Sequence, residues 1–211
     1  MKTVAEIFAR RWQSDKGPEE LWQKEYILRP LRLLTPDGYS LAGIYFQHKK
    51  STADSQVVLL FQSGGSVVKH GEYDWLLKKA ATDKKPVDFV SVDYRGCGES
   101  WGRVTQSYEL ILDGDTLYQF VRENLKKEDH LIAFYGHSIG ASVAAYVKYL
   151  YPSRTIKYIN ERACYSMTRW FSLIYPKYGT YLAWLLRKMG WEMNTLVLWR
   201  YLAQGINLVV Y

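Results

Sequence analysis

With 211 residues, of which 48% are hydrophobic, the chain is long enough to bury a real core in one domain, or at most in two small ones. Its formal net charge of +7 does not indicate a nucleic-acid-binding protein, because Lys and Arg are scattered along the chain and form no sustained basic run. The two cysteines, Cys97 and Cys164, are too few for a disulfide framework and lie in no spacing typical of a metal site, so we expect neither a metal nor another cofactor.

Residues 1–25 form the first predicted unit, a short helical segment. Its apolar residues Val4, Ile7, Phe8 and Trp12 recur at helical spacing, which predicts an amphipathic helix that packs on the rest of the protein. Charged residues interrupt this segment, and no stretch of about 18 uninterrupted apolar residues occurs in the chain. We therefore expect no signal peptide, no transmembrane segment and a cytoplasmic location.

Residues 26–165 form the second unit, for which the pattern predicts an α/β core. Two β-rich runs at 26–34 and 39–47 are joined by a turn that contains Pro and Asp-Gly, which predicts an antiparallel hairpin. Predicted strands at 57–61, 87–93, 131–135 and 156–159 then alternate with predicted helices at 73–81, 108–125 and 141–149. Apolar strands that alternate with helices are typical of a mostly parallel sheet covered on both faces, with the hairpin at one edge.

Residues 166–204 form a third unit that is rich in Trp, Tyr and Leu. The pattern predicts helical patches that are broken at Pro176, Gly179 and Gly190. Residues 205–211 are apolar and predict the start of a further strand of the core.

The sequence Gly-His-Ser-Ile-Gly at residues 136–140 follows an apolar strand and precedes a predicted helix. Glycines two positions before and after Ser138 leave room for the neighbouring strand and helix, so a sharp turn can expose the hydroxyl at the sheet edge. The helix N-terminus favours negative charge that develops there. The pattern predicts Ser138 as a nucleophile, and the alternative is a plain turn in which Ser138 caps the helix.

A second motif, Asp-Tyr-Arg-Gly-Cys-Gly-Glu-Ser at residues 93–100, follows the strand at 87–93. Together with Gly-His-Ser-Ile-Gly on the next strand, it resembles the α/β-hydrolase superfamily, particularly its esterase, thioesterase and serine-aminopeptidase-like branches, over about residues 26–165. The resemblance implies a serine hydrolase fold in which the turn at 95–100 is structural, without a catalytic role for Asp93 or Arg95. A dinucleotide site is the alternative, but the third glycine comes one position too late for G-x-G-x-x-G.

The strand at 57–61 ends in Gln62-Ser63-Gly64-Gly65, where the resemblance places the loop that holds the oxyanion. Relatives usually have His-Gly here, and this chain has Gln62 and Ser63, but a backbone N–H needs no particular side chain. We therefore expect the backbone N–H groups of Gly64 and Ile139 to form the oxyanion hole. The alternative is an ordinary flexible turn.

A complete catalytic triad cannot be assembled in the family's order of nucleophile, acid and histidine. No His or Asp follows Ser138, and the carboxylates that do are Glu161 and Glu192. The tight turn directs the ring of His137 away from Ser138, which favours a packing or hydrogen-bonding role. His70 is either an exposed residue at a helix start or a substitute base.

The resemblance gives the segment at 166–204 the place of a lid, where its aromatic residues either line an acyl pocket or belong to the core. Because the family's acid follows the strand that begins at 205–211, we expect a C-terminal truncation, with the last strand and helix, the acid and the histidine beyond Tyr211. Two hypotheses remain. The chain is a serine hydrolase for ester, thioester or amide bonds of small acyl substrates, or it is an inactive pseudo-hydrolase or truncated relic.

Overall fold

Seven strands form one sheet in the part of the chain that the computed structural model describes, which comprises residues 24–68, 71–83, 86–163, 165–175, 177–202 and 207–210. In chain order the strands are β1 (Tyr26–Leu34), β2 (Ser40–His48), β3 (Val57–Phe61), β4 (Asp88–Val92), β5 (Ile132–His137), β6 (Lys157–Glu161) and β7 (Asn207–Val210). Their order across the sheet is β1-β2-β4-β3-β5-β6-β7. The amphipathic helix predicted around Val4 to Trp12 lies outside the described residues.

The first two strands form the predicted antiparallel hairpin, with Leu34 opposite Ser40. The turn between them closes through a hydrogen bond of 2.9 Å from the Gly38 N–H to the Thr35 carbonyl. Gly38 has a φ of +88°, which the lack of a side chain permits. β2 also pairs antiparallel with β4, and the other neighbouring strands are parallel. The mostly parallel sheet with an antiparallel edge hairpin is therefore confirmed.

Six α-helices lie in the described residues, and none of them is long and apolar enough to cross a membrane. They are α1 (Asp74–Thr82), α2 (Ser107–Gln119), α3 (Ile139–Leu150), α4 (Met167–Ile174), α5 (Gly179–Lys188) and α6 (Thr195–Leu202). α2 continues as a π-helical turn over Phe120–Asn124. The helices are interrupted between Ile174 and Gly179, and a Cβ on Gly179 would lie 2.4 Å from the Ser172 carbonyl oxygen of the packed helix α4.

Helices cover both faces of the sheet. Successive residues of a strand point to opposite faces, so neighbouring residues pack against different helices. In β5, Phe134 lies in a buried cluster with Leu117 of α2 and Val143 of α3. The next residue, Tyr135, lies in a second cluster on the other face, together with Leu77 of α1. Apolar burial on both faces of the central strands is what a parallel sheet requires.

A buried arginine holds the turn that follows β4. The Arg95 guanidinium has no solvent exposure; its Nη1 lies 2.6 Å from Asp37 Oδ2, and its Nη2 lies 2.7 Å from Asp113 Oδ1. The same guanidinium lies over the ring of Tyr39, with Cζ 4.7 Å from the centroid. Arg95 thereby joins the β1–β2 turn to helix α2, which supports a structural role for this turn.

Candidate active site

Ser138 lies in the turn between the end of β5 and the start of α3, with a φ of +54° and a ψ of −122°. A residue with a Cβ atom rarely adopts this conformation. The two nearby glycines are sterically required, since a Cβ on Gly136 would lie 2.5 Å from the Ala141 Cα. A Cβ on Gly140 would lie only 2.1 Å from the Phe61 carbonyl oxygen. Residues 136–140 therefore form a strained turn between strand and helix, called the Ser138 elbow below.

Backbone hydrogen bonds fix the position of Ser138. Its N–H donates to the Glu161 carbonyl at 2.9 Å, and its own carbonyl accepts from the Ala141 N–H at 3.1 Å. The residue is half-buried, and it caps the N-terminus of α3, where the helix dipole favours negative charge. Within the described part of the chain, no histidine or carboxylate is hydrogen-bonded to the Ser138 hydroxyl.

The two residues predicted for the oxyanion hole are neighbours in space. A Cβ on Gly64 would lie 3.7 Å from the Ile139 Cγ2, so the loop after β3 contacts the first turn of α3. Neither the Gly64 N–H nor the Ile139 N–H donates a hydrogen bond to another group of the described residues.

The side chain of Gln62, the first residue after β3, is buried. Its Nε2 donates to Ser91 Oγ at 2.7 Å, and Ser91 Oγ in turn donates to the Leu60 carbonyl at 2.7 Å. Gln62 therefore links the end of β3 to β4, and the loop that follows presents backbone groups to the site.

Glu72 connects the loop that follows β3 to the Ser138 elbow. Its Oε1 lies 2.7 Å from His137 Nδ1, and its Oε2 accepts a hydrogen bond of 3.1 Å from the Ser63 N–H. The Glu72 side chain is 16% exposed and that of His137 is 29% exposed. The predicted hydrogen-bonding role of His137 thus has a specific partner. The sequence contains no signal for this pair, because Glu72 precedes α1 and lies in no motif.

Comparisons with known proteins agree with this geometry. No protein-family model matches the sequence, and no curated protein matches it. The esterase Pf2001 of Pyrococcus furiosus is similar in structure, with a TM-score of 0.65 and 17% identity over 92% of this chain and 73% of the esterase. Acetyl xylan esterase 1 of Thermoanaerobacterium sp. JW/SL YS485 gives a TM-score of 0.60 and 16% identity over 92% of this chain and 69% of that protein.

A third similar structure is ATU1826 of Agrobacterium tumefaciens, a protein of unknown function whose name describes it as a candidate α/β hydrolase. It gives a TM-score of 0.54 and 14% identity, over 64% of this chain and 60% of that protein. The chain has the α/β-hydrolase fold. Because all three identities are low, this likeness establishes the fold alone.

In this α/β-hydrolase fold, the carboxylates that follow Ser138 are both engaged elsewhere. Glu161 Oε2 accepts a hydrogen bond of 2.5 Å from the Tyr135 hydroxyl. Burial, followed by this hydrogen bond, raises the pKa of Tyr135 well above its ordinary value. Glu192 Oε1 accepts from Ser166 Oγ at 3.0 Å, at the base of α4. Neither carboxylate orients a histidine among the described residues.

The histidines of the chain do not complete a triad in the described residues. His137 is bound to Glu72, His48 is buried beside β1, and His130 is exposed near Glu128. His70, the substitute base considered above, lies outside the described residues.

Three aromatic residues of the third unit are not part of the core. Trp170, Tyr175 and Trp184 are 45%, 53% and 53% exposed. The core interpretation is therefore wrong for these three side chains, and the acyl pocket stays a prediction. Helical spacing predicts a shared stripe of a helix, but it does not say what the stripe faces.

Proposed function

We propose that the chain is a serine hydrolase that cleaves ester, thioester or amide bonds of small acyl substrates, with Ser138 as the nucleophile. The conformation of the elbow carries this proposal. A positive φ at Ser138 is costly, and close contacts exclude side chains at Gly136 and Gly140. A plain helix cap needs neither feature, whereas a nucleophile that must stand above the sheet edge needs both.

In the proposed reaction, the Ser138 oxygen attacks the acyl carbon while a base accepts the hydroxyl proton. The N–H groups of Gly64 and Ile139 stabilise the negative charge that develops on the carbonyl oxygen. Breakdown of the tetrahedral intermediate then releases the alcohol, thiol or amine, which takes up the proton from the base. An acyl group is left on Ser138. Water then attacks this acyl carbon, the acid product leaves, and the proton returns to Ser138.

Ser138 is a better candidate nucleophile than Cys97. Burial, followed by the charges of Asp93 and Asp113, raises the pKa of the Cys97 thiol. Because the thiolate is the reactive form, this cysteine is a weak nucleophile at neutral pH.

A second candidate function is a binding scaffold without turnover. It rests on one observation: within the described residues no histidine or carboxylate is hydrogen-bonded to the Ser138 hydroxyl, and His137 is bound to Glu72 instead. Without a base, the Ser hydroxyl stays protonated and reacts slowly. Small acyl compounds would then bind beside Ser138 without being cleaved.

Active-site labelling with a fluorophosphonate distinguishes the two functions. For a hydrolase, we expect the native protein to be labelled at Ser138, identified by peptide mass spectrometry, and to hydrolyse p-nitrophenyl acetate. The Ser138→Ala variant should lose both reactions while it keeps the circular dichroism spectrum of the parent. If the native protein is not labelled and the variant behaves identically, the hydrolase proposal is wrong and the binding scaffold is supported.

A further inference from the structure

The segment that contains α4 and α5 has an unusual charge pattern. From Arg162 to Trp191 the sequence contains no Asp or Glu, and it contains eight aromatic residues. The cations Arg169, Lys177 and Lys188 make no ion pair with a carboxylate of the described residues. Two of them lie over aromatic rings, with Arg169 Cζ 5.5 Å from the Tyr165 centroid and Lys177 Nζ 5.2 Å from that of Tyr178. All the charged side chains of this segment are therefore cationic, and aromatic residues lie along its whole length.

Large apolar side chains of the α4–α5 hairpin, residues 167–188, are exposed to solvent. The most prominent are Trp170, Leu173, Ile174, Tyr178, Tyr181 and Trp184. They recur at intervals of three and four residues within each helix, which places them on one stripe of α4 and one of α5. Leu173 is 65% exposed and Tyr181 is 66% exposed, so these stripes are not covered by the rest of the described protein.

The hairpin is attached to the fold mainly at its base. α4 packs principally on α5. At the base, Glu192 accepts hydrogen bonds from Ser166 and Thr168 and from Arg187 Nε, the last at 3.2 Å. The Ser107 N–H of α2 donates to the Gly190 carbonyl at 3.0 Å. These contacts fix the ends of the hairpin and leave its aromatic stripes in solvent.

We propose that the α4–α5 hairpin docks on the surface of an anionic lipid bilayer. Exposed Trp, Tyr and Leu side chains insert their apolar parts between lipid headgroups, while Lys and Arg reach the negative surface. Charge complementarity decides the occupant, since the hairpin offers only cations along the exposed stripes. A second copy of this face would carry the same positive charge, so pairing two copies is less favourable than contact with an anionic surface.

The hairpin leaves the sheet at the same edge as the Ser138 elbow. It follows β6, whose last residue Glu161 accepts the hydrogen bond from the Ser138 N–H. The docking itself does not depend on the proposed hydrolase function.

Vesicle flotation tests the proposal with the full chain. The probes are vesicles of phosphatidylcholine alone and of phosphatidylcholine mixed with phosphatidylglycerol. We expect binding to the anionic vesicles that weakens as salt is added, and little binding to the neutral ones. The double variant Lys177→Glu, Lys188→Glu should lose at least about tenfold in affinity, because each cation contributes about 1 kcal/mol near an anionic surface. The double variant Leu173→Ser, Trp184→Ser should show a comparable loss.

Matched controls lie outside the hairpin. Trp101→Ser removes another highly exposed tryptophan, and Lys50→Glu reverses another exposed lysine, and both should bind like the parent. Ser138→Ala should also bind like the parent, which separates this test from that of the proposed function. Circular dichroism and thermal unfolding check that each variant is folded.

Three results would overturn the proposal. One is the absence of binding to anionic vesicles at low salt. A second is equal binding of the parent and the folded Lys177→Glu, Lys188→Glu variant. The third is a stable oligomer in light scattering that the Leu173→Ser, Trp184→Ser variant converts to a monomer while vesicle binding stays unchanged, since the stripe would then be an interface between copies.

Discussion

The Ser138 elbow and the α4–α5 hairpin lie at the same edge of the sheet, but they are built in opposite ways. In the elbow, backbone atoms approach so closely that only glycine fits at positions 136 and 140. In the hairpin, large aromatic side chains stand in solvent, and hydrogen bonds hold only the base. The rigid backbone of the elbow supports the proposed reaction at Ser138. The exposed apolar side chains of the hairpin support the proposed contact with a bilayer.

The largest effect should come from filling the space around Gly140. A Cβ there would lie 2.1 Å from the Phe61 carbonyl oxygen, so Gly140→Ala must push α3 away from β3. We expect the free energy of unfolding to fall by about 3 kcal/mol in urea titrations. Gly64→Ala is the matched control, because the nearest atom to its Cβ is 3.7 Å away and its expected loss is less than about 1 kcal/mol. Equal losses would mean that the elbow is not closely packed.

The next largest loss of stability should come from substitution of Glu72, which joins the elbow to the loop that follows β3. Glu72→Gln replaces two charge-assisted hydrogen bonds with weaker neutral ones, and we expect a loss of about 2 kcal/mol in the free energy of unfolding. Hydrogen exchange should become faster at the Ser63 amide. Glu128→Gln is the control, since Glu128 lies 3.4 Å from His130 and both side chains are mostly exposed. Unchanged exchange at Ser63 would contradict the proposed connection.

Local motifs made the elbow predictable from the sequence. The requirement at Gly136 arises from nearby Ala141, and that at Gly140 arises from the Phe61 carbonyl oxygen at the end of the neighbouring strand β3, so the motif together with its flanking strand and helix carries the information. The alternation of strands and helices likewise indicated the sheet, and the bounds of the elements differ from the predicted ones by a few residues. The neighbouring positions of Gly64 and Ile139 followed from the order of parallel strands, because these deliver their loops to one edge.

Contacts between distant residues could not be predicted in the same way. Glu72 and His137 are 65 residues apart, and a Glu before a helix has no local feature that indicates its partner. The environment of Trp170 and Trp184 was also beyond the sequence, because an amphipathic stripe has the same spacing whether it faces a core, a pocket or a bilayer. The helices of segment 166–204 were therefore predicted, but the exposure of their aromatic side chains was not.

A smaller effect on the free energy of unfolding is expected from two substitutions of Ser138, which distinguish backbone strain from reactivity. Ser138→Gly removes the Cβ that makes a φ of +54° unfavourable, while Ser138→Ala keeps that Cβ. Both variants lack the hydroxyl, so neither should react with a fluorophosphonate. We expect Ser138→Gly to be more stable than Ser138→Ala by about 1 kcal/mol in urea titrations. If the alanine variant is the more stable one, the turn at residue 138 is not strained.

The smallest effect concerns the base of the hairpin and its dependence on pH. Burial alone would raise the pKa of Glu192, but hydrogen bonds from Thr168, Arg187 and Ser166 outweigh it, and the pKa lies below its ordinary value of 4.5. A carboxyl group whose pKa is lowered by folding stabilises the folded form above its ordinary pKa. That contribution is lost as the pH falls through the lower folded value.

We therefore expect hydrogen exchange in α4 to become faster relative to β5 as the pH falls below about 4.5, after correction for the intrinsic exchange rate. Glu192→Gln should show the faster exchange already at neutral pH and should lack this pH dependence. Glu72 and Glu161 bind side chains at the C-terminal end of β5, so the reference is the amide of Phe134 in the buried middle of that strand, where exchange should change little over the same range. Parallel changes in α4 and β5 would mean that the hairpin and the sheet unfold as one unit, and the structural contrast between them would then have no counterpart in local stability.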